Sequence, residues 1–246
     1  MKQPDLGEIQ MRPVERGEVP IGAKGQPKQY SQYDKAQSDL MNRIGEYCSY
    51  CERPIKTHLA IEHIQSKDFQ PQFRLSWDNF LFACVNCNST KGTKVQNDIT
   101  QADYYWPHLD NTFRAFIYQS GGIIKTNQVL NTAEQKKAQQ TLELTGLDRH
   151  PNASMKPTPK DRRWNHRRQV WDLAQQAKAL LSVNNTLEMR AYIANNAKSN
   201  GFWSIWMTTF QDDPDMLNRF IQVFPGTCHQ CFDSNGKPIP RRGGKL

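Results

Sequence analysis

Four cysteines could hold a metal ion, because they occur as two closely spaced pairs. Cys48 and Cys51 form the first Cys-x-x-Cys pair, and Cys84 and Cys87 form the second, with 32 residues between the pairs. Two such knuckles can each supply half of a tetrahedral Zn2+ site, and four thiolates leave no open position for water or substrate. The spacing therefore predicts one structural zinc ion. The alternative is four unrelated core cysteines in the reduced thiol form.

A closed zinc site does not explain five other polar residues that lie between and after the cysteines: Glu62, His63, Asn79, Asn88 and Lys91. Their order is Glu-His, then Asp-Asn, then Cys-x-x-Cys-Asn-x-x-Lys. This order resembles the motif of HNH endonucleases, in the variant whose last histidine is replaced by asparagine. The resemblance implies a ββα fold, in which a hairpin presents the acid-histidine pair, a loop carries the middle asparagine and a helix carries the last residue.

The resemblance also implies a role for each residue of the motif. Glu62 and Asn88 would bind one catalytic divalent cation, and His63 would be the general base. Asn79 would orient the histidine, and Lys91 would contact a phosphate. These residue types suit phosphodiester hydrolysis, because a histidine is mostly neutral at cellular pH and oxygen ligands suit Mg2+ or Mn2+. Neighbours in a regular strand point to opposite faces, so Glu62 and His63 share a site only if the strand twists or ends there.

Short elements are expected to position these residues. The segment HLAIEHI is apolar enough for a short buried strand, and a helix that begins near the second cysteine pair would carry Asn88 and Lys91 one turn apart. Apolar residues at helical spacing, followed by a glycine, predict a short amphipathic helix before the first pair. They are Tyr33, Ala36, Leu40, Ile44 and Gly45.

The rest of the chain predicts an arm, a hairpin and helices. Residues 1 to about 30 have no periodicity and indicate an extended arm that is ordered by docking. The segment NTFRAFIYQSGGIIKTN predicts a β-hairpin with its turn at Ser120-Gly121-Gly122. A helix should begin with Thr132 and Gln135 in capping-box positions and end at Gly146.

Further helices are predicted over about 161–181, 187–197, 201–210 and 213–224, the last with Asp213 as its cap and Pro214 at its first position. The fold class is therefore α+β, with a zinc-stapled ββα core embedded in a mainly helical protein. We divide the chain into an arm with a short helix (1–45), the ββα core (46–100), a hairpin and helix (101–150), and a helical region with a basic tail (151–246).

A basic charge balance suits a polyanionic partner. The formal net charge is +8 and the pI is near 9.2, and neutralising phosphates releases condensed counterions. Much of the excess lies in the predicted helix that begins near residue 161 and in the tail. Four arginines of that helix are candidate contacts to nucleic acid or to a partner: Arg162, Arg163, Arg167 and Arg168. The alternative is a solvated helix face.

A longer resemblance covers most of the chain. The segments MRPVERGEVP, YCSYCE, WPHLDN, LTGLDRHPNA and FWSIWMTTF, with the later FPGTCHQCFD, are similar to the HNH component of Septu-type anti-phage systems, which also accompany some retrons. The resemblance implies an ATPase partner of the SMC/ABC-like class, and in some systems a retron reverse transcriptase with its RNA and DNA. The chain has no G-x-x-x-x-G-K-[ST] phosphate loop of its own.

Three readings of function remain open from the sequence. The first is a nuclease that cuts DNA, as the wider HNH family implies. The second is a nuclease that cuts RNA, including a structured RNA such as tRNA, because both polymers present the same phosphodiester to the metal. The third is a zinc-stabilised nucleic-acid-binding adaptor that never cuts, although an adaptor has no need for His63 beside Glu62, Asn79 and Asn88.

The remaining features bear on compartment and on the last cysteines. The apolar fraction is 37% with a mean hydropathy of −0.79, and no apolar run reaches the roughly 20 residues of a membrane span. No signal-like segment begins the chain, so we expect a cytoplasmic protein with reduced thiols. Cys228 and Cys231 form a third pair without an evident fourth ligand, and packed thiols are favoured over a metal half-site or a redox pair. His58 is expected to be an exposed polar residue.

Overall fold

The computed structural model describes residues 11–57 and 59–246, and the arm is extended from residue 11 onwards. The first ten residues of the predicted arm, and His58, lie outside the described residues. The arm docks against distant parts of the chain, as predicted. Val14 pairs with Thr227 in an isolated antiparallel bridge, and the buried Arg12 donates to the carbonyl oxygens of Pro225 and Ile44.

Two strands and a helix form the predicted ββα unit. Strand β1 (Ala60–His63) pairs antiparallel with β2 (Phe80–Ala83), and His63 lies opposite Phe80. Helix α2 (Val85–Lys91) follows β2 at once. Strand β2 is buried along its whole length because its four residues are apolar. The loop between the strands contains two short 3-10 turns, Pro71–Phe73 and Trp77–Asn79.

Smaller elements surround this unit. Helix α1 (Gln37–Ile44) continues from a 3-10 turn, Tyr33–Ala36, and ends at Gly45 as predicted. Helix α3 (Asp98–Ala102) follows the ββα unit. Strands β3 (Phe116–Gln119) and β4 (Ile123–Thr126) form the predicted hairpin, with a turn at Ser120–Gly122.

Helix α4 (Thr132–Thr145) ends at Gly146, which adopts the left-handed conformation as predicted. Its predicted N-terminal cap is wrong by one residue. Asn131 caps the helix, because its side chain accepts from the backbone N–H of Glu134 while the Glu134 carboxylate accepts from the backbone N–H of Asn131. Thr132 is already the first helical residue, so Thr132 and Gln135 do not form the box.

Four helices complete the chain: α5 (Arg163–Val183), α6 (Leu187–Asn200), α7 (Trp203–Thr209) and α8 (Pro214–Val223). Each overlaps its predicted range. The side chain of Asp213 accepts from the backbone N–H of Met216, so the predicted cap and the first-position proline of α8 are confirmed.

One cluster of buried apolar residues extends from Met11 to Leu246 and contains the aromatic residues of α7 and α8. The mixed helix and strand composition is confirmed, whereas the division of the chain into four segments stays a prediction. Among the helices within the described ranges, none has the length and apolarity required to cross a bilayer.

Candidate active site and metal centre

The two cysteine pairs meet at one point. Cys48 and Cys51 lie before β1, Cys84 caps α2, and Cys87 lies in its first turn. All four side chains are buried, and their Sγ atoms lie within 4.8 Å of one another. Strand β2 leads into the second knuckle, and its pairing with β1 brings that knuckle beside the first. Ser49, between the first two cysteines, also donates its backbone N–H to the carbonyl oxygen of Phe82 in β2.

The geometry of the four thiols fits zinc. Zn–S bonds of about 2.3 Å in a tetrahedron require sulfur atoms roughly 3.8 Å apart, and the Sγ atoms of Cys51 and Cys84 are 3.6 Å apart. Burial raises the pKa of the Cys51 and Cys87 thiols. A bound cation opposes this effect because it stabilises thiolates. Four buried cysteines could therefore hold a structural metal ion.

His63 lies at the end of β1, and one of its ring nitrogens is held by the backbone. Its Nε2 is 3.0 Å from the carbonyl oxygen of Arg74. A carbonyl oxygen can only accept, so Nε2 carries the proton and Nδ1 is the basic nitrogen of the neutral ring. The ring packs edge-on against Tyr33 and Phe80. Burial lowers the pKa of His63, which keeps the ring neutral.

The Asn79 side chain is hydrogen-bonded to the loop after His63, and among the described residues it forms no hydrogen bond to the imidazole. Its Oδ1 accepts from the backbone N–H of Gln65 at 2.8 Å, and its Nδ2 donates to the carbonyl oxygens of Gln65 and Phe73. Phe73 precedes Arg74, whose carbonyl oxygen accepts from the histidine. Any orienting effect of Asn79 on His63 is therefore transmitted through this loop.

Glu62 and Lys91 form a buried ion pair. The Lys91 Nζ lies 2.7 Å from Glu62 Oε1 and 2.7 Å from the carbonyl oxygen of His63, and both side chains are 2% exposed. Burial raises the pKa of Glu62, and the neighbouring ammonium opposes that shift. The predicted phosphate contact of Lys91 is inconsistent with this placement, because its ammonium is used inside the protein.

A cleft of about 520 Å³ is lined by four of the five residues of the motif. Glu62, His63, Asn88 and Lys91 all line it. Strand β1 ends at His63, which allows neighbouring residues of opposite strand faces to border one cleft. Asn88 lies on α2, one turn before Lys91, and its side chain makes no hydrogen bond within residues 11–57 and 59–246. From the motif, the cleft therefore offers the carboxylate of Glu62 and the free carboxamide of Asn88, and two aspartates outside the motif also line it.

The sequence analysis did not assign Tyr33 and Lys67 to the site, although they are among the residues that line the cleft. The Lys67 Nζ lies 4.6 Å from the centre of the Tyr33 ring. Lys67 has no carboxylate within ion-pair distance among the described residues. The EHIQSK segment places Lys67 four residues after His63, but only the loop geometry directs it into the cleft.

Two of the four arginines predicted to contact a polyanion are buried. Arg163 and Arg167 are each 1% exposed. Arg167 donates to the carbonyl oxygens of Gly122 and Leu147, and Arg163 is bonded on all sides within the protein. The prediction is wrong for these two, because their side chains are enclosed. Arg162 and Arg168 are exposed, and their contact to nucleic acid or to a partner stays a prediction.

The burial of Arg163 and Arg167 could have been predicted from their spacing in the sequence. Their spacing continues, at intervals of three and four, into the buried apolar stripe of α5. The members of this stripe are Arg163, Arg167, Val170, Ala174, Ala177 and Leu181.

The match to a known protein family falls on this unit. Residues 48–94 match the HNH endonuclease family. The HNH region, defined by this match, contains both cysteine pairs, β1, β2 and α2, together with all five residues of the motif. A search among curated proteins gave no match. The family supports nuclease chemistry for the HNH region and an interaction with nucleic acid.

The third cysteine pair lies outside the HNH region. Cys228 and Cys231 are buried and free, and a 3-10 turn, His229–Cys231, joins them. A hydrogen bond from Cys231 lowers the pKa of Cys228 to about 7. Within the described residues, the four cysteines of the HNH region form the only group of three or more acidic, histidine or cysteine side chains suited to a metal.

Proposed function

We propose that this protein is a metal-dependent endonuclease that hydrolyses phosphodiester bonds of nucleic acid at the cleft of the HNH region. The observation that carries the proposal is the state of His63. Its Nε2 is bound to the Arg74 carbonyl oxygen, which leaves Nδ1 with a lone pair, in a ring that borders the same cleft as Glu62 and Asn88. A non-cutting adaptor has no use for such a base.

The reaction follows from these residues. His63 Nδ1 accepts the proton of a water whose oxygen bonds to phosphorus while the bond from phosphorus to the leaving sugar oxygen breaks, and the leaving oxygen takes a proton from solvent. The Arg74 carbonyl holds the ring in the required tautomer. Asn79 fixes the loop that carries this carbonyl. Lys67 lines the cleft and forms no ion pair with a carboxylate among the described residues, and we assign to it the phosphate contact that the sequence assigned to Lys91.

A catalytic cation suits the donors that line the cleft. Glu62 and Asn88 supply carboxylate and carboxamide oxygens, which are hard ligands for Mg2+ or Mn2+. When bound, such an ion neutralises the charge that develops on the phosphoryl group. The Lys91 ammonium already neutralises part of the Glu62 charge, so we expect weak binding and a requirement for millimolar concentrations of the ion.

The biological setting is proposed from the longer resemblance. We infer that the protein is the effector nuclease of an anti-phage defence complex with an SMC/ABC-like ATPase, in some systems beside a retron reverse transcriptase. DNA is the expected substrate. RNA, including tRNA, is the second arm of the test, because the cleft chemistry is the same for both polymers.

Cleavage assays test the proposal. The full chain, with and without the ATPase encoded beside its gene, is incubated with plasmid DNA and with total cellular RNA in Mg2+ or Mn2+. We expect one polymer to be cut, and His63→Ala to lower the rate by about 10²–10⁴-fold, which is typical for a general base. His229→Ala removes an exposed histidine outside the HNH region and should cut as the wild type does.

Circular dichroism and metal analysis make the outcome decisive. His63→Ala must remain folded and retain its structural metal, because it removes no cysteine ligand. The proposal fails if this variant, folded and metal-loaded, cuts as fast as the wild type. Binding without cutting by the wild-type complex, under every ion tested, would instead support the adaptor.

A further inference from the structure

A buried arginine from outside the HNH region contacts the cysteine centre. Arg163, the first residue of α5, donates from Nη1 to Cys87 Sγ at 3.0 Å, and its side chain is 1% exposed. This is a charge-assisted hydrogen bond across 76 residues of chain. Burying a guanidinium group costs free energy unless its charge and its N–H groups are paired. The burial of Arg163 must therefore be explained by its charged and polar partners.

All five N–H groups of the guanidinium are used. Asp161 accepts from Nε at 2.8 Å and from Nη2 at 2.7 Å, in a two-pronged ion pair. The carbonyl oxygens of Thr145 and Gly146 accept at 2.7 and 3.3 Å, and Cys87 Sγ takes the fifth. The guanidinium is thus fixed in one orientation with one N–H directed at the sulfur.

The charge of the centre favours such a partner. Four thiolates and one Zn2+ carry two excess negative charges in a buried place, and an isolated buried charge is unfavourable. A hydrogen bond from a cation withdraws electron density from the sulfur and stabilises the thiolate form that binds metal. Groups that bond to metal ligands from outside typically change metal affinity about 10–100-fold.

We propose that Arg163 is a functional part of the zinc centre: it stabilises the Cys87 thiolate and couples retention of zinc to docking of α5. Because Arg163 also holds the carbonyl oxygens at the end of α4, loss of the metal weakens the attachment of both helices to the HNH region. This inference rests on zinc occupancy of the four cysteines and is independent of whether the cleft cuts nucleic acid.

Spectroscopy of the cobalt-substituted full chain tests the hydrogen bond itself. Thiolate-to-Co2+ charge-transfer absorption moves to lower energy when a thiolate loses a hydrogen bond, so Arg163→Gln should shift this band to longer wavelength. Transfer of zinc to a chromogenic chelator is the second measurement. We expect the variant to retain zinc about 10–100-fold less well than the wild type.

Two control variants distinguish this role from a nonspecific loss of packing around α5. Arg167→Gln removes a buried arginine one turn further along α5, whose partners are backbone carbonyl oxygens. Arg162→Gln removes an exposed neighbour. Neither should move the charge-transfer band. Arg162→Gln should leave the retention of zinc unchanged, and Arg167→Gln should lower it much less than Arg163→Gln does.

Two further variants address folding. Asp161→Asn combined with Arg163→Gln removes both buried charges, and Arg163→Lys keeps the positive charge but cannot reproduce five donors. Each should shift the charge-transfer band to longer wavelength, as Arg163→Gln does, and the shift should be smaller for Arg163→Lys. The proposal is overturned if the folded variants have an unmoved band and wild-type zinc retention, or if Arg167→Gln has an equal effect on both.

Discussion

At the residue scale, the two lysines that line the cleft differ in their partners and in their burial. The Lys91 ammonium is enclosed with Glu62, whereas Lys67 faces the cleft and contacts the Tyr33 ring. We therefore propose different roles for two lysines that look equivalent in the sequence. The enclosed one stabilises a buried carboxylate, and the other is free to meet a phosphate, with the tyrosine ring holding its ammonium by a cation–π contact.

Substitution of Lys67 should weaken nucleic-acid binding through one phosphate contact. In a His63→Ala background, which prevents cleavage, we expect Lys67→Gln to lower affinity and to reduce the slope of log affinity against log salt by about 1. Fluorescence anisotropy over a salt series measures both. Lys125→Gln, an exposed lysine on β4 outside the cleft lining, is the matched control. An unchanged slope for Lys67→Gln would exclude it as a phosphate contact.

Substitution of Lys91 should act on stability. Lys91→Met leaves the buried Glu62 carboxylate without its ion-pair partner, and breaking such pairs costs about 3–5 kcal/mol. Urea unfolding measures the change in the free energy of unfolding. Adding Glu62→Gln in the same chain removes the orphan charge and should recover most of the loss. If the double variant is as unstable as Lys91→Met, the pair is not the cause.

At the element scale, caps decide where the helices begin. Asn131 and Glu134 exchange hydrogen bonds at the start of α4, and α4 in turn ends at the carbonyl oxygens that Arg163 holds. The start of this helix is set by its cap and its end by Gly146, and Arg163 bonds the carbonyl oxygens at that end.

The cap of α4 gives a paired test. Asn131→Ala removes the side chain that accepts from the N–H of Glu134 and should cost about 0.5–2 kcal/mol of stability. Thr132→Ala changes the first helical residue, which the sequence suggested as the cap, and should cost less. Thermal or urea unfolding of both variants measures the difference. Equal losses would contradict the assignment of Asn131 as the cap.

At the scale of the whole molecule, one core joins the arm, the HNH region and the C-terminal helices. Glu52, next to Cys51, accepts from the backbone N–H of Arg12 in the arm and from the hydroxyl of Ser204 in α7. The residue that follows the first cysteine knuckle is thus hydrogen-bonded through one buried carboxylate to the arm and to α7.

Loss of the metal should therefore also destabilise elements outside the HNH region. We expect one zinc ion per chain by elemental analysis, and Cys84→Ser should lose it, because apparent binding energies of such sites are on the order of 10 kcal/mol. Limited proteolysis should then cut within the HNH region and at the ends of α4 and α5. Well-folded wild-type protein without zinc would contradict the assignment of the centre.

The sequence by itself determined the local features of this protein. The paired cysteines, a short strand within HLAIEHI and the helix that carries Asn88 and Lys91 follow from residue types and spacing over a few positions, whereas β2 was expected only from the resemblance to HNH endonucleases. The hairpin turn at Ser120–Gly122 and the stop of α4 at Gly146 follow from the backbone freedom of glycine. Such signals are short-ranged, so the predicted order of elements agrees with the structure.

Only the tertiary structure determined which charged side chains are buried with a partner and which are unpaired. The partner of Lys91 lies 29 positions before it, and the carbonyl oxygen that fixes the His63 tautomer comes from a loop residue, Arg74. Arg163 meets Cys87 across 76 residues of chain. Spacing within a helix can place a charged residue on the buried face, but the sequence does not show its partners, because these depend on which distant elements pack against it and on whether they supply enough hydrogen bonds to satisfy it.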